Sequence, residues 1–548
     1  MSSSKLKKEN ASSFIKNVFM LMFSQVIIKV LGLVYRVVIV DVEGFGNTGN
    51  GYYSTGYQIY MILLALSSMG IPNVVSKLVS ERIAKGDYKA AHRVFKFCVL
   101  IFGSLGLIFA GVLFFGAEFI ATQILKISGV KYTLMALAPA LAVVPPSAVM
   151  RGYFVGLGST KATSSSLVIE QFFNCVLSIG FVYACVGQDS AIMAAAGNLS
   201  TSCACILAFL YLILFFKRRK CEIKAEITGQ TCITENKTKK ELIFTILAIS
   251  IPISFSSLVS VAGSAIDAVT VSRCIQNAFQ VAGNTALELE QKAMELFGTL
   301  QKAETIVHLP LAISATFCTA IVPAISSALA NGDINRATQK IKSSLFINSI
   351  FIFPCMAGFL VLAAPILKLL YPSVPDGDLI LKLLTISLPF SSINFILNGV
   401  LYGIGKTYVP AITLTIGSIL KLVLNIWLVN IPKINIYGAV VSTVAYNIVI
   451  FVIESVIVLR KTRMKIDFMK CFIKPILASV FMGVAVLLVD KGLNLVVDNR
   501  VATVLSILVG VIIYGIIVLL LRVVDREDLD GFPKAEKLIN VLERFRLI

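Results

Sequence analysis

Residues Ser13–Val40 read SFIKNVFMLMFSQVIIKVLGLVYRVVIV. A helix needs about 20 apolar residues to cross the hydrocarbon of a bilayer, and this run is longer than that. It nevertheless carries Lys29 and Arg36. A fixed positive charge at that depth is costly, and where it occurs it marks a site of function. The two cations are seven residues apart, about two helical turns, and Gln25 and Gly32 fall on the same stripe. One face of the predicted helix is therefore polar and basic. Arg36, nearer the end of the run, can also snorkel to the interface or pair with a carboxylate elsewhere. Lys29 lies too near the middle for easy snorkelling.

The rest of the chain has the same character. Of its 548 residues 57% are hydrophobic and only 14% charged, a content that one soluble core cannot absorb. The predicted fold class is an all-α integral membrane protein, in the cell membrane and multi-pass. The net charge of +19 does not point to nucleic acid, because the basic residues cluster in short segments between apolar runs, where the positive-inside rule puts them. Eleven cysteines are scattered without a CxxC pair, and only two histidines are present, so no metal site or cofactor is expected. No catalytic motif appears either, and the chain does not read as an enzyme. GIGKT at Gly403–Thr407 lacks the first glycine of a phosphate-binding loop, since position 400 is Val; its glycines read as a tight turn.

Fourteen stretches are predicted to be transmembrane helices, at about 13–40, 53–76, 94–116, 132–156, 163–186, 190–216, 242–268, 299–326, 344–368, 379–404, 408–430, 435–459, 469–489 and 501–522. Connections rich in Lys and Arg alternate with connections that are poor in them. The N-terminus and the second, sixth, eighth and twelfth connections are basic, whereas the first, DVEGFGNTGNG, contains acids and no cation. This alternation places both termini in the cytoplasm.

The chain also repeats itself. SERIAKGDYKAAHRVFK from Ser80 matches SSALANGDINRATQKIK from Ser326 at Gly86/Gly332 and Asp87/Asp333, an offset of 246, and GYFVGLGST from Gly152 matches GVLYGIGKT from Gly399 at an offset of 247. Two matches at nearly one offset predict two parallel six-helix repeats plus two C-terminal helices. The expected organisation is an N-terminal repeat 1–216, a cytoplasmic basic linker 217–241, a C-terminal repeat 242–459, two additional helices 460–523 and an amphipathic cytoplasmic tail 524–548. Transporters built from such repeats hold substrate between them and work by rocking.

Further ionisable residues fall within the predicted spans: Asp267 in the seventh, Lys302 and Glu304 at the opening of the eighth, Glu170, Lys421 and Glu454 elsewhere. Superposing the repeats sets Arg36 near Asp267, a candidate charge partner. Glu170, Lys421 and Glu454 read as inter-helix pairs. Lys29, Arg36, Gln25, Lys302 and Glu304 are the candidate substrate-binding residues. Cations on the first helix favour an anionic substrate, and phosphate or pyrophosphate suits Arg and Lys by charge-assisted hydrogen bonds.

Gly56–Lys96 (GYQIYMILLALSSMGIPNVVSKLVSERIAKGDYKAAHRVFK) and His308–Asp333 (HLPLAISATFCTAIVPAISSALANGD) resemble the polysaccharide-biosynthesis branch of the multidrug/oligosaccharidyl-lipid/polysaccharide exporter superfamily. Within it, the similarity is to the stage V sporulation protein B and MurJ-type lipid II flippase group. The resemblance covers nearly the whole chain. It implies a flippase for a lipid-linked oligosaccharide, foremost the undecaprenyl-pyrophosphate-linked peptidoglycan precursor, working among membrane lipids and in reach of wall-synthesis enzymes, with sporulation as one setting. The family's first-helix motif SRVLGFVRD becomes IKVLGLVYR here, keeping a cation at Lys29 but placing Tyr35–Arg36 where the family has Arg-Asp. Its cation on the eighth helix has no in-register match, Lys302 being the nearest. Three other readings stay open: an exporter of another lipid-linked polysaccharide precursor, a cation-coupled drug antiporter and a wall-synthesis scaffold.

Overall fold

The computed structural model describes residues 27–228, 238–280, 285–330, 332–462, 464 and 467–523. Gln25 and the predicted tail 524–548 lie outside the described residues. Among those described there are helices and no strands. In chain order they are α1 (27–40), α2 (Gly46–Ile83), α3 (Tyr88–Phe115), α4 (Val130–Gly156), α5 (Lys161–Ala184), α6 (Ser190–Thr228), α7 (Lys239–Ala278) and α8 (Ala286–Ala330). They continue as α9 (Ile334–Leu370), α10 (Asp378–Thr385 and Leu388–Gly403, bent by 41°), α11 (Tyr408–Val429), α12 (Ile436–Thr462), α13 (Met469–Leu493) and α14 (Asn499–Leu520). Eleven of these are long and apolar enough to cross a membrane, or twelve with the bent pair counted as one span. The other two predicted spans fall on α1, whose first half lies outside the described residues, and on α8.

The chain divides into two compact units, Met1–Gly298 and Thr299–Ile548. In the first, α2, α3, α4 and α6 share a core that includes Val75, Val79, Phe95, Val149, Tyr153 and Leu212. Leu242 and Ile246 of α7 join it, so the helix that opens the second repeat by sequence packs within the first unit. In the second unit, α8, α9, α10 and α12 share a core that includes Ile321, Ile325, Ile341, Ile396, Val400 and Val458. A satellite cluster of Phe346, Cys471, Ala478 and Val518 seats α13 and α14 on α9, and Tyr514 donates a 2.8 Å hydrogen bond to the Ile350 carbonyl.

Each unit contains the same helix–turn–helix device. Asp87 caps α3 by accepting from the Ala90 amide at 2.8 Å, and Asp333 caps α9 by accepting from the Arg336 amide at 2.8 Å. The preceding glycines, Gly86 and Gly332, have φ of +76° and +72°, a left-handed conformation in which a side chain is strained. Further on, α4 crosses α2 where a Cβ on Gly152 would lie 2.6 Å from the Pro72 carbonyl oxygen. In the other unit α10 crosses α8 where a Cβ on Gly399 would lie 2.9 Å from the Cys318 carbonyl oxygen. Small residues let membrane helices approach this closely. Pro72 and Cys318 are themselves 246 residues apart, so the internal repeat holds for the partners as well as for the glycines.

Prolines sit in these helices in two ways. Pro72 restarts α2 after a π-type turn at Ala65–Met69, as prolines tolerated at helix starts do. Pro252 lies inside α7, which continues through it. The basic linker opens as an extension of α6 to Thr228, while 229–237 lies outside the described residues. GIGKT forms the turn between α10 and α11, with Gly405 at φ +83° and the Lys406 amide donating to the Leu401 carbonyl at 2.8 Å.

Candidate substrate-binding site

On α1, Gly32 faces α5, where a Cβ would stand 3.7 Å from Gln171 Nε2. One turn later Tyr35 is buried and its hydroxyl lies 3.2 Å from that of Tyr53 on α2. Arg36 is half-buried beside it. Its guanidinium donates to Ser54 Oγ at 3.1 Å and lies 4.7 Å from the centre of the Tyr53 ring. These partners are all neutral, and they come from α2 rather than from Asp267. A guanidinium held by hydroxyls and a ring face keeps its charge for a ligand, and its flat fork matches a phosphate. Lys29, about 10 Å back along α1 by helical rise, is exposed.

The wall beside Arg36 is aromatic. Tyr53, Tyr57 and Tyr60 recur at helical spacing on α2, with ring centres 6.4 Å and 5.7 Å apart. Asn198 of α6 donates to the Tyr53 carbonyl at 3.1 Å, which pins this stretch of α2 to the unit's interior. Beyond it stands a charge that the sequence reading missed. Arg151, within the apolar run of α4, donates to Glu170 of α5 at 2.5 Å and to Ser166 at 2.9 Å. Glu170 thus makes the inter-helix pair expected of it. A single Arg inside an apolar run announces no partner; the Tyr spacing in YSTGYQIY is the readable signal of the wall.

Of the other candidates, Asp267 lies on α7 in the first unit and the rest lie in the second. Asp267 is 1% exposed on α7 and has interactions of its own. Lys302 is 1% exposed; it donates to the Val374 carbonyl at 2.5 Å, lies 3.3 Å from Asp376 and stands over the Tyr371 ring at 5.4 Å. Its ammonium is therefore occupied by the connection between α9 and α10. Glu304 accepts from Gln301 at 2.8 Å. Lys421 lies over the Tyr446 ring, and Glu454 Oε1 lies 2.7 Å from the Thr413 hydroxyl of α11. Among the described residues no group of three or more His, Cys, Asp or Glu could hold a metal.

The chain is similar to known proteins over most of its length. It is 25% identical over 508 residues to the lipid II flippase MurJ of Bacillus subtilis, covering 89% of this chain and 91% of that one. It is 24% identical over 537 residues to stage V sporulation protein B of the same organism, covering 96% and 99%. Among solved structures, an inward closed conformation of lipid II flippase MurJ superposes with a TM-score of 0.66 at 17% identity over 92% of this chain and 98% of that one. An inward-facing multidrug resistance MATE family transporter gives 0.64 at 14% identity over 81% and 98%. The MatE family model matches residues 298–427. The family model described as polysaccharide biosynthesis protein matches residues 14–329, more than half of the chain, which therefore belongs to that family, within the multidrug/oligosaccharidyl-lipid/polysaccharide exporter superfamily.

Proposed function

We propose that the protein is a flippase that carries an undecaprenyl-pyrophosphate-linked saccharide, foremost the peptidoglycan precursor lipid II, across the cytoplasmic membrane by alternating access. The observation that carries the reading is Arg36. It is a half-buried guanidinium whose partners are Ser54 and a tyrosine ring, and no ion pair cancels its charge among the described residues. A pyrophosphate head group supplies the missing negative charge, and Lys29 on the same helix supplies a second cation about two turns away. The tyrosine wall of α2 suits sugar rings, which stack on aromatic faces. Lys302, buried on the α9–α10 connection, acts as a structural anchor in this conformation and leaves the head group to α1. The names of the relatives, lipid II flippase among them, agree with a lipid-linked substrate, and the basic clusters favour both termini in the cytoplasm.

The test is reconstitution of the purified protein in vesicles with labelled lipid II, followed by movement between leaflets with and without an excess of another undecaprenyl-linked saccharide. Movement that lipid II saturates and the competitor does not suppress supports the reading. Lipid II movement that the competitor suppresses assigns the site to the other precursor as well. No movement of either removes the proposal.

A further inference from the structure

Glu454, on α12, is fully buried at 0% exposure. One carboxyl oxygen, Oε1, is 2.7 Å from the Thr413 hydroxyl of α11. The other, Oε2, is buried with no hydrogen-bond partner. No ion pair reaches Glu454 among the described residues. The ionisable groups facing it are Cys318 of α8 and Tyr402 of α10, both neutral in their ordinary state. The nearest cation along α11 is Lys421, eight residues from Thr413 and so about 12 Å up the helix, where it lies over Tyr446 at 5.7 Å. Arg460 stands six residues on, at the solvent end of α12. An ionised carboxylate in such a place would have one donor for two charged oxygens and no counter-charge, which is the costliest way to bury a polar group.

We propose that Glu454 is a proton-binding site of the second unit and that this conformation holds it loaded. The hydroxyl of Thr413 has a single hydrogen, and its oxygen lies 2.7 Å from Glu454 Oε1 and 3.1 Å from the Pro410 carbonyl oxygen. With Glu454 protonated, the carboxyl O–H donates to Thr413 Oγ1 and Thr413 donates to Pro410, so that each hydrogen serves one acceptor and the remaining Oε2 is an uncharged carbonyl oxygen. On release, the O–H bond of Glu454 breaks and the proton passes to water. Thr413 then turns its hydrogen to the carboxylate, which still lacks a donor for Oε2. That state calls for water at Oε2, so proton release is tied to α11 parting from α12. Glu454 lies eight residues from Thr462 and Thr413 five from Tyr408, within about two turns of the ends that carry Arg460, Lys461 and Lys406; the proton exchanges with that side of the membrane. The repeat offset of 247 sets Leu207 of α6 where the second unit has Glu454, and Glu170, a partly buried carboxylate of the first unit on α5, is ion-paired to Arg151.

The test is infrared spectroscopy of the purified full-length protein at neutral pH, in H2O and D2O, for the wild type, Glu454→Gln and Thr413→Val. The expected result is a protonated-carboxyl C=O band in the wild type that shifts in D2O, is lost in Glu454→Gln and moves to higher frequency in Thr413→Val, where the hydroxyl acceptor is gone. Spectra of wild type and Glu454→Gln that coincide in this region overturn the proposal. Should Glu454→Gln fail to fold, a wild-type band unmoved in Thr413→Val overturns it equally.

Discussion

The two units share a scaffold and differ in what they bury. In both, an Asp caps the third helix of the repeat after a left-handed glycine, and a glycine of the fourth helix rests on a carbonyl of the second. The polar interiors have diverged. The first unit carries a tyrosine wall, a half-buried Arg36 and an Arg151–Glu170 pair with side chains 10% and 29% exposed. The second carries Glu454 with one hydroxyl partner, and Lys302 tied to a connection. The contrast separates residues that set the helix crossings, which a duplication can keep, from residues that set the charge inside, which it need not.

The sharpest way to break this contrast is to remove Arg151. Arg151→Met leaves the partly buried Glu170 without its cation and is expected to destabilise the protein by about 3 kcal/mol, while the double change Arg151→Met with Glu170→Gln recovers most of the loss. Thermal unfolding in detergent of the single and double variants reads this directly. Recovery absent from the double variant would show that the pair does not act as a unit.

Smaller effects test the shared scaffold. Gly152→Ala and Gly399→Ala each push a methyl group onto backbone and are expected to cost about 1–3 kcal/mol by overpacking, in similar measure. Gly103→Ala, where nothing lies within 4 Å of the new Cβ, should be near neutral. A large cost in one unit with none in the other would undo the equivalence of the crossings. Smaller still, Asp333→Ala should lose about 1 kcal/mol as a helix cap. Asp87→Ala should lose more, because Asp87 is 5% exposed and has further interactions.

Much of this organisation was legible in the chain. Apolar length gave the helices and the offset between Gly86 and Gly332 gave the repeat, because hydrocarbon thickness and left-handed turns each restrict composition at known positions. The turn at GIGKT was readable for the same reason. Packing partners were not. Nothing in α7 says that Leu242 and Ile246 join the first core, since an apolar stripe does not name its neighbour. Lys302 read as a candidate substrate-binding residue because its partners, the Val374 carbonyl and Asp376, lie more than seventy residues away. Arg36 lies on the helix read for it, but the partners it shows are Ser54 and Tyr53 rather than Asp267, which no helical spacing within α1 reveals.

The central claim is that α1 presents uncancelled positive charge to an anionic head group. It is tested most directly by the rate at which labelled lipid II crosses vesicles containing equal amounts of wild type, Lys29→Ala or Lys29→Arg. The account predicts a loss of about tenfold or more for Lys29→Ala, the scale of a charge-assisted hydrogen bond, with unchanged membrane insertion and partial activity for Lys29→Arg. A wild-type rate in Lys29→Ala would contradict it.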